Sequence, residues 1–170
     1  MKKVLIAMVL ITGCGPSDPS ARDMAAANSA QSGAGEASSY GGLTGLYEGG
    51  PGARPSQLCI VEPKDGNAQF GLVVWGANMH NCSGAGEAEE KGKDLRLTMA
   101  GDQICTVTAR LENGVITLPE NVAEGCAYYC GARARLAGAT FTKKGDRLED
   151  AMKARDLVGE PLCGGLAAAP

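Results

Sequence analysis

The sequence predicts a mainly β fold, a small antiparallel meander barrel or sandwich of seven or eight strands with one C-terminal helix and disulfide cross-links. Three observations predict it. Short apolar runs alternate with polar residues and break at turn residues about every ten to twelve positions. An Asn-Gly pair, Asn113-Gly114, stands between two such runs. Six cysteines, an even set, lie in a region that is poor in large apolar side chains, since the whole chain has two Phe, one Trp and four Tyr against 25 Gly.

The strands follow in order. Leu43 to Glu48 is the first and Gln57 to Glu62 the second; the turn Pro63-Lys64-Asp65-Gly66 leads into Ala68 to Trp75. A looser loop at Ala77 to Asn81 precedes Cys82 to Glu89, a turn at Lys91-Gly92, Asp94 to Met99, a turn at Gly101-Asp102, and Ile104 to Arg110. Alternation is cleanest here: Leu95, Leu97 and Met99 share one side, and Asp94, Arg96 and Thr98 the other. Asn113-Gly114 suits a two-residue hairpin that needs positive φ at both positions, and it sets the register of the strand from Val115. Gly125 to Gly131 reads as a turn or a single helical turn. Arg133 to Lys143 is expected as the last strand, with Gly138 as a bulge. A short helix should close the domain: Asp146 and Glu149 have capping-box spacing, Leu148, Met152 and Val158 form an apolar stripe, and Gly159 and Pro161 stop it.

Small exported domains with thin cores gain stability from cross-links, each worth about 2 to 4 kcal/mol. Cys59, Cys82, Cys105, Cys126, Cys130 and Cys163 therefore read as three disulfides. The hairpin about Asn113-Gly114 places Cys105 opposite position 122 and near the turn carrying Cys126, which makes Cys105 with Cys126 the preferred pair. Cys59, Cys82 and Cys105 fall on alternate strands; at about 4.8 Å between neighbouring strands they are too far apart to bond one another. Cys130 and Cys163 would then serve Cys59 and Cys82, or pair together if those two meet across a closed barrel. A metal site at Cys126, Cys130 and His80 is disfavoured, because exported cysteines oxidise and there is one histidine in the chain. A Cys-His80 nucleophilic pair would need a free thiolate.

The chain opens with Lys2 and Lys3, the apolar run Val4 to Ile11, then Thr12 and Gly13. This is the order of a secretory signal, and the run is too short to span a bilayer as a helix. Ile11-Thr12-Gly13-Cys14 resembles the lipobox of bacterial lipoproteins. That resemblance implies cleavage before Cys14, a diacylglycerol thioether on its sulfur and an acylated amine, so that membrane lipid holds the chain. Gly15 lacks the aspartate associated with inner-membrane retention, which favours the outer membrane. The expected organisation is 1–13 signal peptide, 14–42 lipidated cysteine and tether, 43–165 β domain and 166–170 tail. The tether is rich in Ala, Ser, Gly and Asn, and a flexible chain of its length spans roughly 30 Å.

Removing Lys2 and Lys3 leaves 14 basic against 19 acidic side chains, a formal charge of −5. With no block of Lys or Arg, nucleic acid is not an expected partner. The mixed run Glu87 to Arg96 reads as a solvated hairpin. No Gly-x-Ser-x-Gly, phosphate-binding glycine loop or His-Glu-x-x-His is present. The pairs Glu89 and Glu90, and Glu149 and Asp150, lie in solvated patterns. No catalytic residue, metal or cofactor is expected.

The segments Cys82 to Gly86, Gly125 to Cys130 and Asp156 to Cys163 resemble uncharacterised exported proteins of alphaproteobacteria. In plan the chain is similar to membrane-bound inhibitors of c-type lysozyme, with a lipidated cysteine, a small disulfide-bearing β-barrel and a Ser83-Gly84 hairpin. It departs from them in Ser83 to Ala88, which has no aromatic residue. The resulting expectation is a non-enzymatic binding or inhibitor module in the cell envelope, its partner an envelope protein or enzyme. Trp75, Ser83, Tyr128 and Tyr129 are the candidate binding residues. A structural envelope lipoprotein and a hydrolase or thiol enzyme are the alternatives.

Overall fold

The computed structural model describes residues 42–51 and 54–165. The expected signal segment, Cys14, the tether up to residue 41 and the tail 166–170 lie outside the described residues. Eight strands close into one antiparallel barrel: β1 (Gly45–Gly49), β2 (Ser56–Val61), β3 (Ala68–Trp75), β4 (Asn81–Lys91), β5 (Asp94–Met99), β6 (Thr106–Glu112), β7 (Val115–Thr117) and β8 (Thr140–Gly145). Each strand pairs with the next, and β8 returns to β1 with a register shift between Leu46 and Tyr47. Barrel, not sandwich, is the architecture.

Period-two alternation builds the core. Leu95, Leu97 and Met99 of β5 are buried inside while Asp94, Arg96 and Thr98 are exposed. Tyr47, Leu58, Ile60, Phe70, Leu72, Ile116 and Phe141 fill the rest of the interior, as expected of an eight-stranded barrel just wide enough for its own side chains. Gly84 makes room within that filling, because a Cβ there would come 2.7 Å from Met99 Sδ. Asn113 and Gly114 have φ of 51° and 75°, and the β6–β7 hairpin pairs Arg110 with Thr117, Leu111 with Ile116 and Glu112 with Val115.

The two ends of the barrel differ. The turn end carries the β2–β3, β4–β5 and β6–β7 connections. The loop end carries the β1–β2, β3–β4 and β5–β6 connections and the long excursion 118–139 between β7 and β8. That excursion folds over the mouth, placing Leu118, Cys126 and Leu136 in the interior cluster. Two disulfides fasten it there, Cys82 to Cys130 and Cys105 to Cys126. The latter is the pair preferred from the hairpin register.

The third bond, Cys59 to Cys163, lies outside the barrel. It ties a C-terminal strap to the outer wall of β1 and β2, where Leu46, Cys59, Val61, Ala151, Ala154 and Cys163 form a second buried cluster.

Two expected elements differ from what forms. The last strand covers Thr140–Gly145, not Arg133 to Lys143, because Arg133 to Ala139 belong to the excursion over the mouth. Gly138, expected as a bulge, takes φ 71° in a turn before the strand. The C-terminal helix α1 is a single turn, Leu148–Ala151, with Arg147 at its N-cap and no capping side chain, so Asp146 and Glu149 form no capping box. Leu148 and Met152 do pack on the outer cluster, but Val158 is 81% exposed and outside any helical stripe. Asp156 accounts for this: its Oδ1 accepts from Val158 N at 2.9 Å and Glu160 N at 2.8 Å, and this local turn replaces the helical bonds.

Candidate functional site

Trp75 ends β3 at the loop end, paired with Asn81 and held by its backbone N–H, which donates to the buried Ser56 Oγ at 3.0 Å. The next residue fixes what surrounds the indole. A side-chain carbon at Gly76 would stand 2.5 Å from Arg133 O and 2.8 Å from Ala134 Cα, so the absence of one lets the excursion lie directly against β3. After Gly76 the chain makes a tight 3-10 turn, Ala77–Met79, with Asn78 and Met79 at φ 54° and 65°. Two non-glycine residues in this region cost about 1 to 2 kcal/mol each. Gly76 N donating to His80 O at 2.8 Å helps hold the turn.

Trp75 forms a wall shared by two open clefts. The larger, about 700 Å³, lies between the β1–β2 loop and the excursion, with Arg133 and Arg135 on its lining. The smaller, about 480 Å³, lies between Trp75 and the strap and is lined by Arg54, Arg155, Leu157 and Val158 among others. The Arg54 guanidinium sits 4.8 Å from the indole centroid, within cation–π range. The strap is positioned by Arg155 N donating to Gln57 Oε1 at 2.9 Å, while Gln57 Nε2 donates to Glu48 Oε1. Among the described residues, none of these four guanidiniums is in an ion pair.

The loop end also collects the exposed large apolar side chains of the described residues: Met79 at 61%, Ile104 at 88%, Tyr128 at 63%, Leu157 at 46% and Val158 at 81%. Tyr128 and Tyr129 lie on a 3-10 turn, Glu124–Tyr129, and have different parts. Tyr129 is partly buried against the core, and its hydroxyl donates to Gln103 O at 2.8 Å, tying the excursion to the β5–β6 loop. Tyr128 stands edge-on to it and lines a separate shallow depression with Gln103, Glu124 and Gly125.

Trp75 and the tyrosines therefore share an end of the barrel but not a cleft. Ser83 joins neither. It sits within β4, paired with Val73, so Ser83-Gly84 is strand and no hairpin tip. The looser loop expected at Ala77 to Asn81 ends at His80, because β4 already begins at Asn81. Cys126 and Cys130, considered with His80 as ligands, are bonded to Cys105 and Cys82, which removes both sulfurs from such a set. All six cysteines of the domain are in disulfides, so no thiolate nucleophile is present among the described residues. Sequence reasoning missed the four arginines, because they are scattered over three segments that only the barrel mouth and strap bring together.

No protein-family model matches the chain, and no curated protein or solved structure shows significant similarity to it.

Proposed function

We propose that this chain is a lipid-anchored protein of the bacterial cell envelope, outer membrane favoured, whose β domain is a non-enzymatic binding or inhibitor module working through its loop end. One observation carries the reading. Around Trp75 the fold gathers arginines that form no ion pair among the described residues and exposed apolar side chains, on segments of which the excursion and the strap are tied down by disulfides, and Trp and Arg are the residue types that dominate binding energy at interfaces. Order in such segments is supplied in advance, so little entropy is lost on binding. An inhibitor role would rest on the loop end; Ser83, inside a paired strand, has no protruding tip with which to enter a cleft.

The test uses the purified full chain immobilised and exposed to envelope extract, in parallel with Trp75→Ala and Tyr128→Ala. Retention of a component that Trp75→Ala abolishes is the expected result. A domain that retains nothing would favour the structural-lipoprotein alternative. The anchor is tested separately by intact mass: a mature chain starting at Cys14 and carrying acyl mass is expected, and a chain starting at Gly15, or at an unmodified Cys14, would refute it.

A further inference from the structure

Resting on the reading that the loop end is a binding face, we infer that the Trp75 clefts take a polypeptide segment carrying carboxylates beside apolar side chains. Charge comes first. Arg133 and Arg135 line one cleft, Arg54 and Arg155 the other, and no ion pair among the described residues neutralises them. Asp156 lines the smaller cleft and Glu120 borders the larger at Gly138, but neither forms an ion pair with these arginines among the described residues. Asp156 Oδ1 accepts two backbone N–H bonds, Glu48 accepts from Gln57, and Glu120 stands beside Gly138. Arg155 Nη1 donates to Met152 O at 3.1 Å and Arg54 faces the Trp75 ring, but a guanidinium outside any ion pair keeps N–H donors for a carboxylate or phosphate oxygen pair.

The apolar wall selects among anions. Leu157 and Val158 are exposed on a turn that Asp156 pins, directly beside the indole and two guanidiniums. An anionic glycan can lay a sugar ring on Trp75 and an acid group on an arginine, yet it offers nothing to cover two aliphatic side chains. A peptide offers both kinds of contact within a few residues. An anionic bilayer would meet the exposed Ile104 and Tyr128 instead, and beside Tyr128 stands Glu124, whose charge repels phosphate.

Trp75 is the one tryptophan of the chain, so its emission reports on this site alone. The experiment pans a random-sequence peptide library on the full chain, then titrates enriched peptides while following Trp75 emission. Enriched peptides should place Asp or Glu next to Leu, Ile or Phe and shift the emission. Their affinity should fall about tenfold or more in the double variant Arg133→Glu, Arg135→Glu, whose sites are exposed and outside the core, and severalfold in Val158→Ser. Basic or uncharged enriched sequences, or binding indifferent to the charge reversal, would overturn the inference. So would polygalacturonate or phosphatidylglycerol vesicles shifting Trp75 emission at lower concentration than any peptide. If no peptide is enriched while the chain still retains an envelope component through Trp75, this inference falls and the binding reading stands; if nothing is retained at all, both fall.

Discussion

Replacing Cys59 and Cys163 together with alanine should release the C-terminal strap while the barrel stays closed. The cross-link spans 104 positions, and loop-closure entropy for about 100 residues is worth about 4.7 kcal/mol at 25 °C. With Cys82–Cys130 intact, 48 of those positions are bypassed and the figure falls to about 4 kcal/mol. Little else holds the strap down. Its fully buried apolar residues, apart from Cys163, are Ala151 and Ala154, while Leu148, Met152 and Leu162 are only partly covered. Such contacts give at most about 1.5 to 3 kcal/mol per large side chain, against about 1 to 2 kcal/mol to order each backbone residue. Amide exchange reads the outcome residue by residue. The amides of Met152 and Leu162, bonded to Leu148 O and Ala154 O, should exchange as fast as a frayed end, while those of β3 and β4 stay protected. The urea midpoint should fall by the equivalent of about 4 kcal/mol. Protection at Leu162 equal to that at Leu72, or exchange opening throughout β3 and β4, would refute the division into barrel and strap.

Three further outcomes follow from the same geometry. Gly114→Ala should cost about 1 to 2 kcal/mol in urea unfolding, because φ is 75° and the nearest obstacle, Lys143 Cβ at 3.5 Å, is ordinary contact; no loss would argue against the two-residue hairpin. A hydrogen bond from Lys153, helped by the charges of Lys153 and Arg147 and opposed by burial, holds Asp150 below the usual carboxylate value. Its folded value lies below its unfolded one, so the contribution is present above about pH 4 and lost as pH falls through the folded value; the stability deficit of Lys153→Met should shrink from about pH 6 to about pH 2, and a deficit that grows on acidification contradicts this. Glu62→Ala should cost about 1 to 3 kcal/mol and speed amide exchange at the fully buried Thr44, since Glu62 Oε2 accepts from Leu43 N and Thr44 N; Glu62→Gln, which keeps an acceptor, should lose less, and equal losses would sink the argument.

How far the fold could be read from the chain depended on whether information was local. β3 and β5 were expected at Ala68 to Trp75 and Asp94 to Met99 and have those bounds, because alternation within a strand reports directly on a barrel with a packed interior. The Asn113-Gly114 register was legible because a two-residue turn dictates the pairing next to it. The strand over Arg133 to Ala139 and the helix through Val158 failed for a shared reason. Their residues satisfy a local pattern, but two disulfides pull the first over the barrel mouth and Asp156 diverts the second into a turn. Trp75 stood out as a lone large aromatic. Arg54, Arg133, Arg135 and Arg155 did not, since their common surroundings exist only after the excursion and the strap have folded back on β3.

The barrel has a polarity that bears on display. Its first described residues are gripped at the turn end: Lys143 Nζ donates to Gly42 O at 2.6 Å, Glu62 holds Leu43 and Thr44, and the buried Tyr47 hydroxyl donates to Leu43 O at 2.7 Å. Burial, reinforced by Glu62 and Glu90, pushes the Tyr47 hydroxyl well above its usual value, so that grip stays neutral and intact through the physiological range. The Trp75 clefts lie at the other end, one strand length away, roughly 20 Å for six residues at about 3.3 Å each. The proposed anchor, joined to the domain through Gly42, would therefore attach at the turn end. The end where the described chain begins and the end that carries Arg54, Arg133, Arg135 and Arg155 are opposite, so the proposed anchor would join the domain away from the Trp75 clefts and leave them open to a partner.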